Sequence, residues 1–382
     1  MNMIHSKKLV TAILTVTVVS CVQNDRPTIE TIELQNIVPE EVMLSDLTSG
    51  METVQLETRD DCLIGQAGII RIDSTHIYIS DAVTRSILIF NRHDGKFTGK
   101  LNKSGRGPGE YLEITDFCID PSAHTIEVLD RGGRQLLIYD MSDLSFIKAV
   151  SLPISASELI KKDGMYYLGT HGVGNYIDGE RTNSGVITYK PETREFKALF
   201  DYVRPESENR VFWIKGLTES PDGQIYFSQI WDNALYRIEE NAAIPVLKVD
   251  GGRKEVPDRI KEGSYEQQEA FLNTSTHGYM FYRLAYKNGD KTAISFTDGS
   301  NPYKYFHYIQ AGDKEKLVKD IIIDYIDGRP RMNLMNMVIQ KDDIIVLWTP
   351  YTKHDEKTEA FLNSLGMSSE DNPAISIFKI KP

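Results

Sequence analysis

The sequence predicts an all-β protein, a six-bladed β-propeller with an N-terminal signal and lipid-anchor segment and two short helical insertions. Three observations predict it. A short apolar alternation recurs six times along the chain, the recurrences share their flanking turns, and one strand is left over near the N-terminus to close a ring. At 382 residues and 41% hydrophobic composition the chain can bury a large core, and all-β architectures of this length often form one domain.

The N-terminal residues stand apart from the rest. Lys7 and Lys8 precede an uncharged apolar run from Leu9 to Val19. That run is short of the roughly 20 residues a membrane span needs, so it reads as the core of a signal peptide over residues 1–20. It ends at Val18-Val19-Ser20-Cys21, which resembles a bacterial lipobox with Val18 where leucine is usual. Cys21 is therefore the expected lipidation site, and the membrane the expected first partner. Residues 21–50 are expected to form a polar tether, carrying Asn24, Asp25, Pro27 and Pro39 without a sustained period. Residues 51–382 are assigned to the propeller.

The recurring strand is Ile77–Asp81, Ile126–Asp130, Tyr166–Thr170, Ile225–Gln229, Tyr279–Tyr286 and Ile344–Trp348, at spacings of 40 to 65 residues. Such spacings suit a unit of four strands with variable loops. Tight turns precede the strands, among them Asp73-Ser74-Thr75-His76, Asp120-Pro121-Ser122-Ala123 and Pro221-Asp222-Gly223. A polar loop and a further strand follow, as in Ile87–Phe90, Leu136–Tyr139, Val186–Tyr189 and Leu235–Ile238. A single four-stranded sheet cannot bury both of its faces; sheets stacked radially bury each other's. The last unit ends in Ala374–Ile380, and the spare strand Glu52–Leu56 is expected to pair there and lock the ring. Pro257–Leu272 and Thr358–Leu365 are the helical candidates, the second inside the last blade.

Around Ser104-Gly105-Arg106-Gly107-Pro108-Gly109-Glu110-Tyr111 the chain resembles the six-bladed, NHL-like propeller lipoproteins of Bacteroides-type bacteria. Supporting residues are Met51–Thr58, Leu63-Ile64-Gly65, Leu235–Ile238 and Glu370-Asp371-Asn372-Pro373. The resemblance implies a propeller fold, a lipoprotein signal and an outer-membrane, cell-envelope location, periplasmic or surface-exposed. It implies no activity.

In such a fold the links between blades and the loops between second and third strands share one face. Residues 102–112 should form the first such link and present Arg106 and Glu110 at the channel mouth, where arginine suits a carboxylate or sugar acid. The alternative is an Arg–Glu pair that fixes a blade junction. Asp81 and Arg85, Asp130 and Arg134, His171, Trp231, Asp232 and Asn233, and Trp348 are the further ligand-binding candidates on that face. Aromatic residues beside amides and acids suit a glycan.

A net charge of −12 argues against a nucleic-acid partner. Cys62 and Cys118 are too few for a disulfide scaffold and read as free thiols. The eight histidines show no metal-ligand spacing and no nucleophile elbow. No catalytic residue or cofactor is expected, and binding or scaffolding of a glycan, peptide or envelope protein is favoured over catalysis. The alternative is a lactonase-like hydrolase or lyase, with Asp81, Asp130, Asp232 and Asn233 holding Ca²⁺ in the channel. A third reading is a structural lipoprotein that docks other envelope proteins.

Overall fold

The computed structural model describes residues 29–200, 216–229, 231–274, 279–298, 301–332 and 337–381. Three strands come first: β1 (Glu30–Glu33), β2 (Pro39–Met43) and, after the single turn α1 (Leu44–Leu47), β3 (Thr48–Gln55). Blade 1 is β4 (Ala67–Ile72), β5 (His76–Asp81), β6 (Ser86–Asn91) and β7 (Phe97–Leu101). Blade 2 is β8 (Asp116–Asp120), β9 (Thr125–Asp130), β10 (Gln135–Asp140) and β11 (Phe146–Ser151).

Blade 3 begins with β12 (Glu158–Lys162) and β13 (Met165–Gly169). A small hairpin follows, β14 (Asn175–Ile177) and β15 (Glu180–Thr182), before β16 (Val186–Lys190) and β17 (Glu195–Ala198). Blade 4 is β18 (Leu217–Glu219), β19 (Ile225–Ser228), β20 (Ala234–Ile238) and β21 (Ala243–Asp250). Helices α2 (Asp258–Lys261) and α3 (Tyr265–Thr274) lead to blade 5. Its strands are β22 (Tyr279–Asn288), β23 (Lys291–Asp298), β24 (Asn301–Ala311) and β25 (Lys314–Ile322). Blade 6 is β26 (Met337–Gln340), β27 (Asp343–Trp348), then α4 (Glu356–Ser364), then β28 (Ala374–Ile380).

Each blade is an antiparallel meander whose first strand is innermost. The ring closes as the spare strand requires. β3 lies antiparallel on β28, with Val54 opposite Ile375 and Glu52 opposite Ile377. Pairing the two ends of the chain covers β28 and ties blade 6 to the start of the chain, leaving β3 as that blade's outer edge.

Between neighbouring blades the core is layered. Ile77, Ile79 and Phe90 of blade 1 pack with Ile345, Leu347 and Ile375 of blade 6. The other face of blade 1 sets Tyr78, Ile87 and Ile89 against Phe117, Val128 and Leu137 of blade 2. Alternation in β5 and β9 thus serves two neighbours at once, and for that reason these strands read as continuous apolar runs. Helix α4 falls where expected and is capped by the Asp355 carboxylate, which accepts from the Thr358 N–H.

Two expectations need correction. The sixth recurring strand, assigned to Tyr279–Tyr286, lies in β22, the innermost strand of its blade; the equivalent second strand is β23. All four strands of blade 5 are long, so length and alternation do not mark which is second. The tether expected over residues 21–50 carries propeller strands from Glu30 onward. β1 adds parallel to β21, and β2 adds parallel to β25, giving blades 4 and 5 a fifth strand each. Acid-rich, short strands suit an outermost position, where one edge meets water. The signal segment and Cys21 lie outside the described residues.

Candidate functional site

The candidates on the loop face are brought to one side of the ring, yet the side chains of its acids are engaged in holding turns and links, while the Arg85 and Arg134 side chains are exposed. The buried Asp81 carboxylate accepts from the Gln66 N–H at 2.7 Å and from the Thr84 N–H and hydroxyl at 3.0 and 2.6 Å. Burial works to raise its pKa, but these donors outweigh burial and hold it below the usual carboxylate value. Asp130, also fully buried, does the same in blade 2, accepting from the N–H groups of Leu112, Glu113 and Gly133 and from Gln135. In both blades the acid ties its own turn to the incoming link.

Arg85 and Arg134 occupy the left-handed region, at φ 50° and 52°. That conformation turns their carbonyls toward the next link. The Arg85 carbonyl accepts from the Tyr111 hydroxyl at 2.9 Å, and the Arg134 carbonyl from the Leu152 N–H at 2.8 Å. Burial holds the Tyr111 phenol up to about 12.

His171 Nε2 lies 2.7 Å from Glu158, whose carboxylate also accepts from the Gly216 and Leu217 N–H groups of blade 4. Trp231 is buried edge-on to Phe271 of α3. Asp232 accepts from the Tyr236 hydroxyl and the Ala234 N–H, and the Asn233 carbonyl from the Val249 N–H. Trp348 donates to Ser376 Oγ at 2.8 Å and packs edge-on to Phe361 of α4. Asp81, Asp130 and the Asp232–Asn233 pair therefore work in three separate blades. Among the described residues no group of three or more His, Cys, Asp or Glu is placed to hold a metal ion.

The glycine-rich link departs from expectation in position. Tyr111 N–H bonds to the Lys103 carbonyl and Gly105 N–H to that of Tyr111, which pinches residues 103–111 into a tight loop. Glu110 accepts from the Gly107 N–H at 2.7 Å, so the carboxylate closes its own loop and does not pair with Arg106. A side chain at Gly105 would strike that carboxylate. The loop leans outward on blade 2: the Gly109 carbonyl accepts from Tyr139, the Glu110 carbonyl from Gln135, and Gly109 sits on the Phe146 ring. No described residue from 102 to 115 lines the channel. Arg106 is exposed, with no ion pair among the described residues.

The cavity lies instead along the axis. It measures about 1470 Å³ and is walled by β4, β8, β12, β18 and β26. Its rim is made by the turns between first and second strands, including Asp73–His76, Pro121, Pro221 and Lys341–Asp343, with a branch between blades 1 and 2 past Ile89, Gly99 and Leu144. This is the face opposite the one predicted.

Polar clamps between innermost strands stiffen the wall. Arg71 of blade 1 pairs with Asp116 of blade 2 at 2.7 Å and donates to the Phe117 carbonyl. Lys161 of blade 3 reaches Asp120 and Glu127 of blade 2, each at 2.7 Å. Burial opposes both charges there. The Asp120 carboxyl is nevertheless held down at about 2 by Lys161, Ser122 and Ala123, and the Lys161 ammonium is held up by the two acids. Tyr166 donates to Glu127 at 2.7 Å, and Gln340 of blade 6 pairs with the backbone of Ile72 in blade 1. By contrast Glu219 and Lys341, on the cavity lining near its rim, have no hydrogen-bonded or ion-paired side-chain partner among the described residues, and His124 beside them lies near Asp140.

The sequence pattern of a domain of unknown function, DUF4934, matches residues 29–379. The chain belongs to the DUF4934 family. Among solved structures it is similar to a Bacteroides fragilis protein described as exported, at 15% identity and a TM-score of 0.67, over 93% of this chain and 100% of that one. It is also similar to a DUF4221-family member from Bacteroides vulgatus, at 9% identity and a TM-score of 0.50, over 88% and 98%. No curated protein matches it in sequence. For the DUF4934 chain these likenesses carry the fold. Its channel clamps escaped the sequence reading, although Glu127, a charged residue inside the run Ile126-Glu127-Val128-Leu129, was a visible signal.

Proposed function

We propose that this DUF4934 protein is an extracytoplasmic binding or scaffolding module, fastened to the membrane through Cys21, that receives an elongated ligand in its axial channel. The observation that carries the reading is the channel itself. Its volume of about 1470 Å³ exceeds the roughly 300–1,000 Å³ of ordinary small-molecule pockets. An oligosaccharide or a peptide fills such a space better than a single metabolite. Arg71, Lys161 and Gln340 fix the wall, while His124, Glu219 and Lys341 offer a donor or acceptor at the open rim. Export is supported by the signal-like N-terminus and by the description of the similar Bacteroides fragilis protein.

The test is a thermal-shift panel of oligosaccharides and peptides on the mature chain, with and without Ca²⁺. A hit should disappear in the triple variant H124A/E219A/K341A while the unliganded melting temperature stays within about 2 °C. A large shift from Ca²⁺ alone, or undiminished binding by the triple variant, would overturn the reading. Cys21→Ser should move the protein from the membrane fraction to the soluble fraction; retention in the membrane would refute the anchor.

A further inference from the structure

We propose that β11, the outer edge of blade 2, receives an extended acidic peptide from a partner protein as a fifth strand, and that this site is separate from the channel. The molecule itself demonstrates the mode. At blades 4 and 5 the outermost strands β21 and β25 are each covered by an extended segment running parallel to them. The covering strands are acidic with one buried apolar anchor apiece: Glu30, Glu33 and Ile32 in β1, Glu40, Glu41 and Val42 in β2. Basic residues beside the covered edges answer them, with Lys287 at 3.4 Å from Glu30 and Lys316 at 2.9 Å from Glu40.

β11 has the features of such an edge without its cover. It lies last in its sheet, paired on one side only by β10. Five of its six residues are exposed, whereas β21 has one exposed residue. Two large apolar side chains lie open on it, Phe146 at 39% and Ile147 at 49% exposure. Lys148 stands next to them with no ion pair among the described residues. The glycine-rich loop seats Gly109 on Phe146, and Arg106 of the same loop is exposed. An unpaired, apolar edge carrying the free cation Lys148 fits strand addition by a segment that alternates acids with β-branched residues.

Two other uncovered edges, β7 and β17, are less open. Phe97 of β7 is bonded through its N–H to Glu57 and covered by the Arg59 guanidinium at 5.4 Å. In β17, Lys197 is engaged by Asn241 of the next blade.

The experiment uses the mature chain and a fluorescent twelve-residue peptide alternating Glu with Ile, Val and Thr, read by anisotropy. Binding is expected, with protection of the β11 amides from hydrogen exchange and no binding of the matching Lys-for-Glu peptide. K148E and I147K, both at exposed positions, should each weaken binding about tenfold or more without moving the melting temperature. The channel triple variant should bind this peptide normally, which separates failure here from failure of the channel reading. Absent binding, binding untouched by K148E and I147K, or a concentration-dependent dimer abolished by I147K in place of peptide binding would each overturn the proposal.

Discussion

The two ends of the propeller are built alike and differ in which of them opens onto the channel. On the end formed by the loops between second and third strands, Asp81, Asp130 and Asn372 point their oxygens into the protein's own backbone. Asn372 alone accepts from the Ile64 N–H and donates to the Glu57 and Cys62 carbonyls, at 2.7 to 2.9 Å. The other end has turn acids of the same kind, Asp73 accepting from the Thr75 and His76 N–H groups and Asp120 from those of Ser122 and Ala123, but beside them the side chains of Glu219 and Lys341 have no such duty. Turn acids therefore mark construction at both ends, and the exposed side chains along the channel rim mark the open mouth. A propeller blade needs one strong acceptor per turn to satisfy the N–H groups a sharp reversal leaves over. That demand, repeated around the ring, imitates a ligand site in sequence.

The comparison breaks most readily at Asp130. Its replacement by Ala should remove acceptors for three backbone N–H groups and cost about 2–4 kcal/mol, read as a lower urea midpoint at unchanged slope. A loss under about 0.5 kcal/mol would mean the turn acids are available for other work. The next effect is pH-dependent and lies on the opposite end. Asp120 has a folded-state pKa of about 2 against an ordinary 3.8. A depressed carboxylate contributes its stability above the unfolded pKa and loses it as pH falls through the folded one. Stability should therefore decline between about pH 4 and pH 2, and Asp120→Asn should flatten that decline in acid titrations followed by circular dichroism. An unchanged acid limb would show that the Lys161 clamp is not formed in solution. The smallest effect is expected at Arg106, where Ala should change stability by under about 0.5 kcal/mol; a larger loss would restore the blade-junction role considered for it.

Much of the architecture was readable because blades repeat. The alternation in Ile77–Asp81 and Ile126–Asp130 located two second strands, and the leftover strand near Glu52 located the closure. Blade 5 is hard to register because its long strands repeat the same alternation, although Asn288-Gly289-Asp290 is a turn signal just before β23. β1 and β2 are illegible for a different reason. Each is short, and its pattern is dictated by a partner more than 200 residues away, which no local period records. The position of the glycine-rich loop was unreadable because a link can lean inward or outward with the same residues. Tyr139 and Phe146, far along the chain, decide which.

The seam of the ring joins Thr53 to Ser376, 323 residues apart. Loop-closure entropy and synthesis order both make this contact late. The earliest strands to emerge must wait, unsatisfied, for the final residues before they find their places. A chain so arranged cannot complete its ring until β28 is available, so the blades between can form before the molecule as a whole is closed.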